Sequence, residues 1–293
     1  MTSPEVLQVD AHDGATLTLR RYPLPARPRL ILSHGNGLAM DGYHTFFKLL
    51  CASYELVLFD LRNHGTSGAT PVAKHTITAM ADDHVTVAAE CRKAFDLRAT
   101  FGVFHSISAI AAALAGRDGS VWDGVVLIDP PLVSLDAATG LVRSADDKLA
   151  NFARSRPSRF GSAQDLANTM AAAVARNWVA GAALDMAQAI TRPHSDGGVE
   201  LICAGEYEAR IYEENRTIDS YAALSAMKLP VAILGADADA PRALHPARVS
   251  SAAAQAFDIP YATVRQASHM LQLEKPEAAA TALRCLLLRL LSA

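Results

Sequence analysis

Six stretches of the chain run largely apolar and end in small or polar residues: RLILSHG, YELVLFDLRNHG, ATFGVFHS, DGVVLIDPP, LPVAILGADAD and YATVRQASH. A strand with no polar alternation is buried on both faces, which is the signature of a parallel sheet. Between these runs lie stretches with helical spacing: YHTFFKLLCAS, TAMADDHVTVAAECRKAF, ISAIAAALAG, HPARVSSAAAQAF and PEAAATALRCLLLRLL. Strands alternating with helices make βαβ units, so the chain is expected to be α/β, with a mostly parallel, doubly wound sheet. Two shorter runs, EVLQV and TLTLRRY, come first and do alternate. The turn HDGA joins them, and Asp13-Gly14 is a hairpin signal, so these two strands are expected to be antiparallel.

The alternation breaks between residues 134 and 228. That segment is rich in Ala, Arg and Asn, and shows helical spacing in DDKLANFARSR, AQDLANTMAAAVARNWV and ALDMAQAI. Alanine favours helix. The expected organisation is a sheet-bearing core of residues 1–133 and 229–293, with residues 134–228 inserted as a helical cap. A helical segment set over strand ends would roof a pocket, and Met170, Trp178, Met186, Ile190 and Tyr212 are its candidate lining. Taken one at a time, each is more readily explained as part of the insertion's own core. A roofed apolar pocket suits a small or medium hydrophobic substrate and not a polymer.

Bulk properties exclude several classes. Hydrophobic residues make up 51% of the 293 and charged residues 19%, enough to bury a large core. The net charge is −3 and no Lys/Arg run exceeds two residues, which argues against nucleic acid as a partner. Cys51, Cys91, Cys203 and Cys285 are scattered without a C-x-x-C, which fits a reducing cytosol better than a disulfide framework or a zinc site. No secretion signal opens the chain and no apolar stretch is long enough for a membrane span, so a cytoplasmic location is expected. Neither G-x-G-x-x-G nor G-x-x-x-x-G-K occurs. His12, His44, His75, His84, His194 and His245 show no paired metal spacing, so no cofactor and no metal are expected.

In open α/β sheets ligands bind beyond the carboxyl ends of the strands. There the successive runs deliver Ser33-His34-Gly35-Asn36-Gly37; then Asp60, Arg62, Asn63, His64 and Gly65; then His105-Ser106; then Asp129; then Asp237 and Asp239; then Ser268-His269. A serine hydroxyl needs a base to become a nucleophile, and the base needs a third group to orient it. Serine, aspartate and histidine are all present at strand ends, in that chain order.

The segments SHGNG, FDLRNHGTSG, FHSIS, VVLIDPP and ASHMLQLEKPE, in that order, resemble the α/β-hydrolase superfamily over nearly the whole chain. DGGVELICAGEYEARIY (196–212) resembles the end of the cap in a branch of bacterial hydrolases with poorly defined substrates. The resemblance implies Ser106 as nucleophile and His269 as base. It implies one oxyanion donor at the backbone N–H of Ile107 and a second at Asn36, whose side chain could instead meet a substrate. For the acid, Asp239 ranks first, Asp129 is the alternative and Asp237 the third choice. Asp60, Arg62 and His64 would hold their own loop together. The implied activity is cleavage of a hydrophobic ester, thioester, lactone or amide through an acyl-enzyme. Haloalkane dehalogenases of this fold share an H-G-N loop but use an aspartate nucleophile, so Ser106 argues against that reaction. The scaffold also carries C–C hydrolases, acyltransferases, cofactor-free haloperoxidases and oxygenases. Those, and a ligand-binding protein without turnover, stand as alternatives. One departure is marked. In the family's elbow motif G-x-S-x-G the outer positions are glycines, and here they are Phe104 and Ser108.

Overall fold

The computed structural model describes residues 3–119, 121–136, 148–241 and 243–292. The strands are β1 (Glu5–Asp10), β2 (Thr16–Tyr22), β3 (Arg29–Ser33), β4 (Glu55–Phe59), β5 (Thr100–His105), β6 (Gly124–Ile128), β7 (Arg159–Phe160), β8 (Thr191–Pro193), β9 (Val199–Leu201), β10 (Val231–Gly235) and β11 (Tyr261–Thr263). Eight of them form one sheet in the order β1-β2-β4-β3-β5-β6-β10-β11. β1 pairs antiparallel with β2, with Glu5 opposite Arg21, and β2 pairs antiparallel with β4. Every remaining pair is parallel. The wholly apolar runs behave as their composition requires: all five residues of β4 and of β6 are buried.

Alternate residues feed two cores. Leu30, Leu56, Val103, Val126 and Leu234 pack on one face, with Phe46, Leu283 and Leu287. Ile31, Val57, Phe104, Leu127 and Ile233 pack on the other, with Met80, Val87 and Ile110. The chain leaves β3 toward β4 on one side and later returns to place β5 on its other side. The reversal point of the strand order, beyond which ligands bind in sheets of this kind, therefore lies between β3 and β5.

The segment between β6 and β10 holds the helices Lys148–Ser155, Ala163–Ala172, Ala182–Ala189, Gly205–Asn215 and Ser220–Ser225. Residues 137–147, where the expected DDKLANFARSR helix begins, lie outside the described residues. Two features differ from the sequence reading. A small antiparallel sheet, β7-β9-β8, stands in the segment expected to be mainly helical. The helix expected over residues 163–179 ends at Ala172. Beyond it the Val179 N–H donates to the Leu273 carbonyl at 2.8 Å, a tertiary bond that a continued helix would forfeit. Tertiary pairing here outweighs alanine's helix propensity. Among the described residues no helix is long and apolar enough to cross a membrane.

Candidate active site

β5 ends at His105 and a helix starts at Ile107, leaving Ser106 alone at the corner. Ser106 sits at φ 57° and ψ −121°, a conformation that costs a non-glycine residue free energy and recurs at functional turns. Neighbouring bonds hold it there. Its N–H donates to the Ile128 carbonyl at 2.9 Å, and its carbonyl accepts from Ala109 at 3.0 Å. The corner turns the Ser106 hydroxyl toward His269, with Oγ 2.9 Å from Nε2. On the other side of that ring, Nδ1 lies 2.7 Å from Oδ2 of Asp129. A carboxylate only accepts, so Nδ1 carries the proton and Nε2 presents its lone pair to the serine.

Asp129 follows β6, the strand beside β5, and is fully buried. Its other oxygen, Oδ1, accepts the Ala236 N–H at 3.0 Å, and its own N–H donates to the Leu234 carbonyl at 2.9 Å. Asp239, ranked first from the sequence, is not at this position. Its side chain is 80% exposed, and its Oδ2 meets Arg265 at 2.8 Å. Asp237 accepts the Gln266 N–H at 2.8 Å and the Asp239 N–H at 3.2 Å. The Gln266 N–H is the main reason its carboxyl lies below the ordinary range. Both aspartates therefore tie down the turn before His269 and make no hydrogen bond to it. The base loop is also held from behind, because Glu274 accepts from the Ser268 N–H at 2.7 Å.

The Ile107 N–H opens its helix, where the first N–H groups have no intrahelical acceptor. From the loop after β3, Gly35 presses on the elbow so closely that an added Cβ would lie 3.2 Å from both Ser106 Cβ and His105 Nδ1. Asn36 follows Gly35 directly in the same loop. The Asn36 side chain turns away, its Nδ2 donating to the Glu208 carbonyl at 2.8 Å. One of the two N–H donors of that amide is thereby taken up within the protein.

The two non-glycine elbow positions have a local explanation. Phe104 is fully buried and its ring folds back over Gly102, where an added Cβ would lie 2.3 Å from Phe104 Cε2. The ring packs against His84 at 4.6 Å and Trp122 at 5.1 Å. Ser108 is fully buried, which keeps its hydroxyl from a substrate, and its Oγ pairs with His84 Nε2 at 2.9 Å. One histidine thus contacts both replaced positions, and the glycine the elbow lacks at 104 stands two residues earlier. Gly102→Ala is expected to lower stability by about 1–3 kcal/mol through overpacking against Phe104. Adding Phe104→Leu should recover part of the loss. An unchanged urea midpoint for Gly102→Ala would overturn this account.

The second loop is a scaffold, as its sequence implied. Asp60 accepts from Met40 N–H at 2.7 Å and from Arg20 at 3.1 Å. Arg62 pairs with Asp83 and Asp13. His64, His75 and Cys203 bring donor atoms within 4.8 Å of one another. The His64 Nδ1–H donates to the Arg62 carbonyl, while its Nε2 accepts from Gly37. His75 Nδ1 accepts from the Asn63 amide, which puts the ring proton on Nε2. Neither ring offers a free lone pair, so this trio does not fit a metal ion as it stands.

Of the expected pocket lining, Met170, Met186 and Ile190 are buried in the same core cluster as Tyr43 and Phe46. Tyr212 packs on Ala150 and Ala153 and donates to Glu208. Trp178 borders a cleft of about 430 Å³ with Asn168 and Leu184, and no member of the Ser106 constellation lines it. The sequence placed His105 at a strand end without a role and did not single out Tyr43. Tyr43 Oη lies 2.8 Å from His105 Nδ1, and His105 Nε2 lies 2.9 Å from the His269 carbonyl. The only available signal was the position of His105 beside Ser106.

Solved structures of similar shape span nearly the whole chain. E-2-(acetamidomethylene)succinate hydrolase aligns with TM-score 0.79 at 19% identity, covering 97% of this chain and 99% of its own. An alpha/beta hydrolase from Novosphingobium aromaticivorans gives 0.75 at 17% identity, covering 99% of both chains. The thioesterase domain from the curacin biosynthetic pathway gives 0.74 at 16%, covering 100% of both. Likeness at such identities speaks for the fold alone. No curated protein sequence matches the chain. Residues 30–282 match the sequence model of the alpha/beta hydrolase family, and with that match, the sheet order and the serine corner in hand, the chain belongs to that family.

Proposed function

We propose that this protein is a serine hydrolase in which Ser106, His269 and Asp129 act as a triad. One observation carries the reading: the continuous bonding from Ser106 Oγ through His269 to Asp129, at 2.9 and 2.7 Å, with the serine held at a positive φ. In this reading the Ser106 oxygen attacks a carbonyl carbon while His269 Nε2 takes the hydroxyl proton. The N–H groups of Ile107 and Asn36 receive the developing oxyanion. Collapse breaks the bond to the leaving group, which takes the proton back from His269. Water, deprotonated by the same nitrogen, then attacks the acyl-enzyme, releasing the acid and restoring Ser106. Asp129 holds the Nδ1 proton throughout and stabilises the imidazolium.

The substrate class that fits is a small or medium hydrophobic ester, thioester, lactone or amide, with residues 134–228 as the cap over a core of 1–133 and 229–293. A cytoplasmic setting suits the four unpaired cysteines. The test is labelling by a fluorophosphonate, with the modified residue mapped by mass spectrometry. Wild type should carry label on Ser106, and Ser106→Ala and His269→Ala should carry none. Unlabelled wild type, or label that persists in either folded variant, would sink the proposal.

A further inference from the structure

Three groups in the proposed reaction stand on three separate loops: Asn36 after β3, Ser106 after β5, and His269 after β11. One buried chain of hydrogen bonds joins all three loops. The Gly35 N–H, one residue before Asn36, donates to Tyr43 Oη at 3.4 Å. Tyr43 Oη lies 2.8 Å from Nδ1 of His105, one residue before Ser106. His105 Nε2 lies 2.9 Å from the carbonyl oxygen of His269 itself.

The direction of this chain is forced. The His269 carbonyl can only accept, so the His105 proton resides on Nε2. A neutral ring then offers Nδ1 only as a lone pair, so the Tyr43 hydroxyl must donate to it. That leaves the Tyr43 oxygen free to accept from Gly35. Every donor has one acceptor, and no reversed arrangement satisfies all three contacts. Tyr43 and His105 are each 2% exposed, so bulk water does not stand in for a lost partner. Burial, with His269 nearby, also holds the His105 pKa well below its ordinary value, which keeps the ring neutral. The two imidazoles face each other at 4.8 Å and 38°, so the same ring braces the base laterally.

We propose that His105 and Tyr43 are positioning residues that set the spacing between the oxyanion loop and the base loop, acting through the Gly35 N–H and the His269 carbonyl. This rests on the serine-hydrolase reading. Small displacements of reacting groups carry large rate penalties, whereas a core polar pair that served only stability would leave the rate of folded enzyme unchanged.

Tyr43→Phe removes the hydroxyl and keeps the ring. Its rate of fluorophosphonate labelling, and its kcat on any ester it turns over, should fall about 10-fold, with KM moving less than about 2-fold. His105→Phe should be slower still. His105→Gln should recover part of the rate, because its amide can donate to the His269 carbonyl and accept from Tyr43. Nitrogen-15 spectra of the histidine rings supply a readout independent of activity. In wild type, His105 should be protonated at Nε2 with Nδ1 accepting a hydrogen bond; in Tyr43→Phe the proton should stay on Nε2, held by the His269 carbonyl, while the Nδ1 resonance moves downfield to that of an unbonded lone pair. A Tyr43→Phe enzyme with wild-type rate, or one whose Nδ1 resonance does not move, overturns the inference, as does equal impairment of His105→Gln and His105→Phe. Wild type that takes no label overturns the serine reading and this inference together, so the two failures are distinguishable.

Discussion

Asp129→Asn should slow acyl transfer by about 10⁴-fold, the scale seen when a triad carboxylate becomes an amide. Asp239→Asn should stay within about 2-fold of wild type, as a surface change away from the reacting groups does. The size of the first effect follows from the second oxygen of Asp129. Oδ1 accepts the Ala236 N–H at 3.0 Å, so an asparagine at 129 must keep its carbonyl oxygen there. Its NH₂ then faces His269 Nδ1, where the carboxylate oxygen now sits at 2.7 Å. A donor at that point drives the imidazole proton to Nε2, and the nitrogen facing Ser106 can no longer accept. The base is lost through its tautomer, with little change in shape. Asp239, 80% exposed and paired with Arg265, has no such leverage. Steady-state rates, or labelling rates where no substrate is known, decide the matter once thermal melts show both variants folded. A fast Asp129→Asn with a slow Asp239→Asn would return the acid to the position after β10.

That choice between acids marks the limit of what the sequence carried. The unbroken apolar runs gave the positions in the chain and the burial of β3, β4, β5, β6 and β10, because a strand covered on both faces has little freedom in composition. Ser106 and His269 were legible because strand ends are where such a sheet presents chemistry. Asp129, Asp237 and Asp239 all satisfy that rule equally. What separates them is the path of residues 264–269, which returns over the end of β6, and nothing local encodes that path. The elbow was opaque for a similar reason. Phe104 reads as an obstruction until Gly102 and His84 are seen to make its pocket. The β7-β9-β8 sheet is built from strands of two or three residues, too short to show a period.

Acidification from about pH 7.5 to about pH 5 should lower the melting temperature by of order 10 °C, and buried histidines are the reason. His34, His64, His75, His84 and His105 are at most 1–2% exposed. Burial lowers the pKa of each below the ordinary 6.5, to about 3 for His75 and about 4 for His84. A histidine depressed in the folded state stabilises the fold above the unfolded pKa of 6.5. As pH falls below that value the unfolded chain gains protons that the folded chain refuses, so stability drains away until the folded pKa is reached. At pH 5 each strongly depressed ring costs about 2 kcal/mol, against a total stability of roughly 5–15 kcal/mol. Asp83 and Glu208 act in the opposite sense, because burial raises them, but each is ion-paired, with Arg62 and Arg156 respectively. Burial also pushes Asp60 up, yet the Arg20 guanidinium and the N–H donors of Met40 and Thr66 hold it below 3.8, so its loss comes beneath this window. His84→Gln supplies the internal control. It should melt lower than wild type at neutral pH, having disturbed the Ser108 and Met80 contacts, yet show a shallower fall toward pH 5. A wild-type melting temperature that stays level across the range, or a slope that His84→Gln leaves unaltered, would mean these rings take up protons without unfolding and that burial does not hold them neutral.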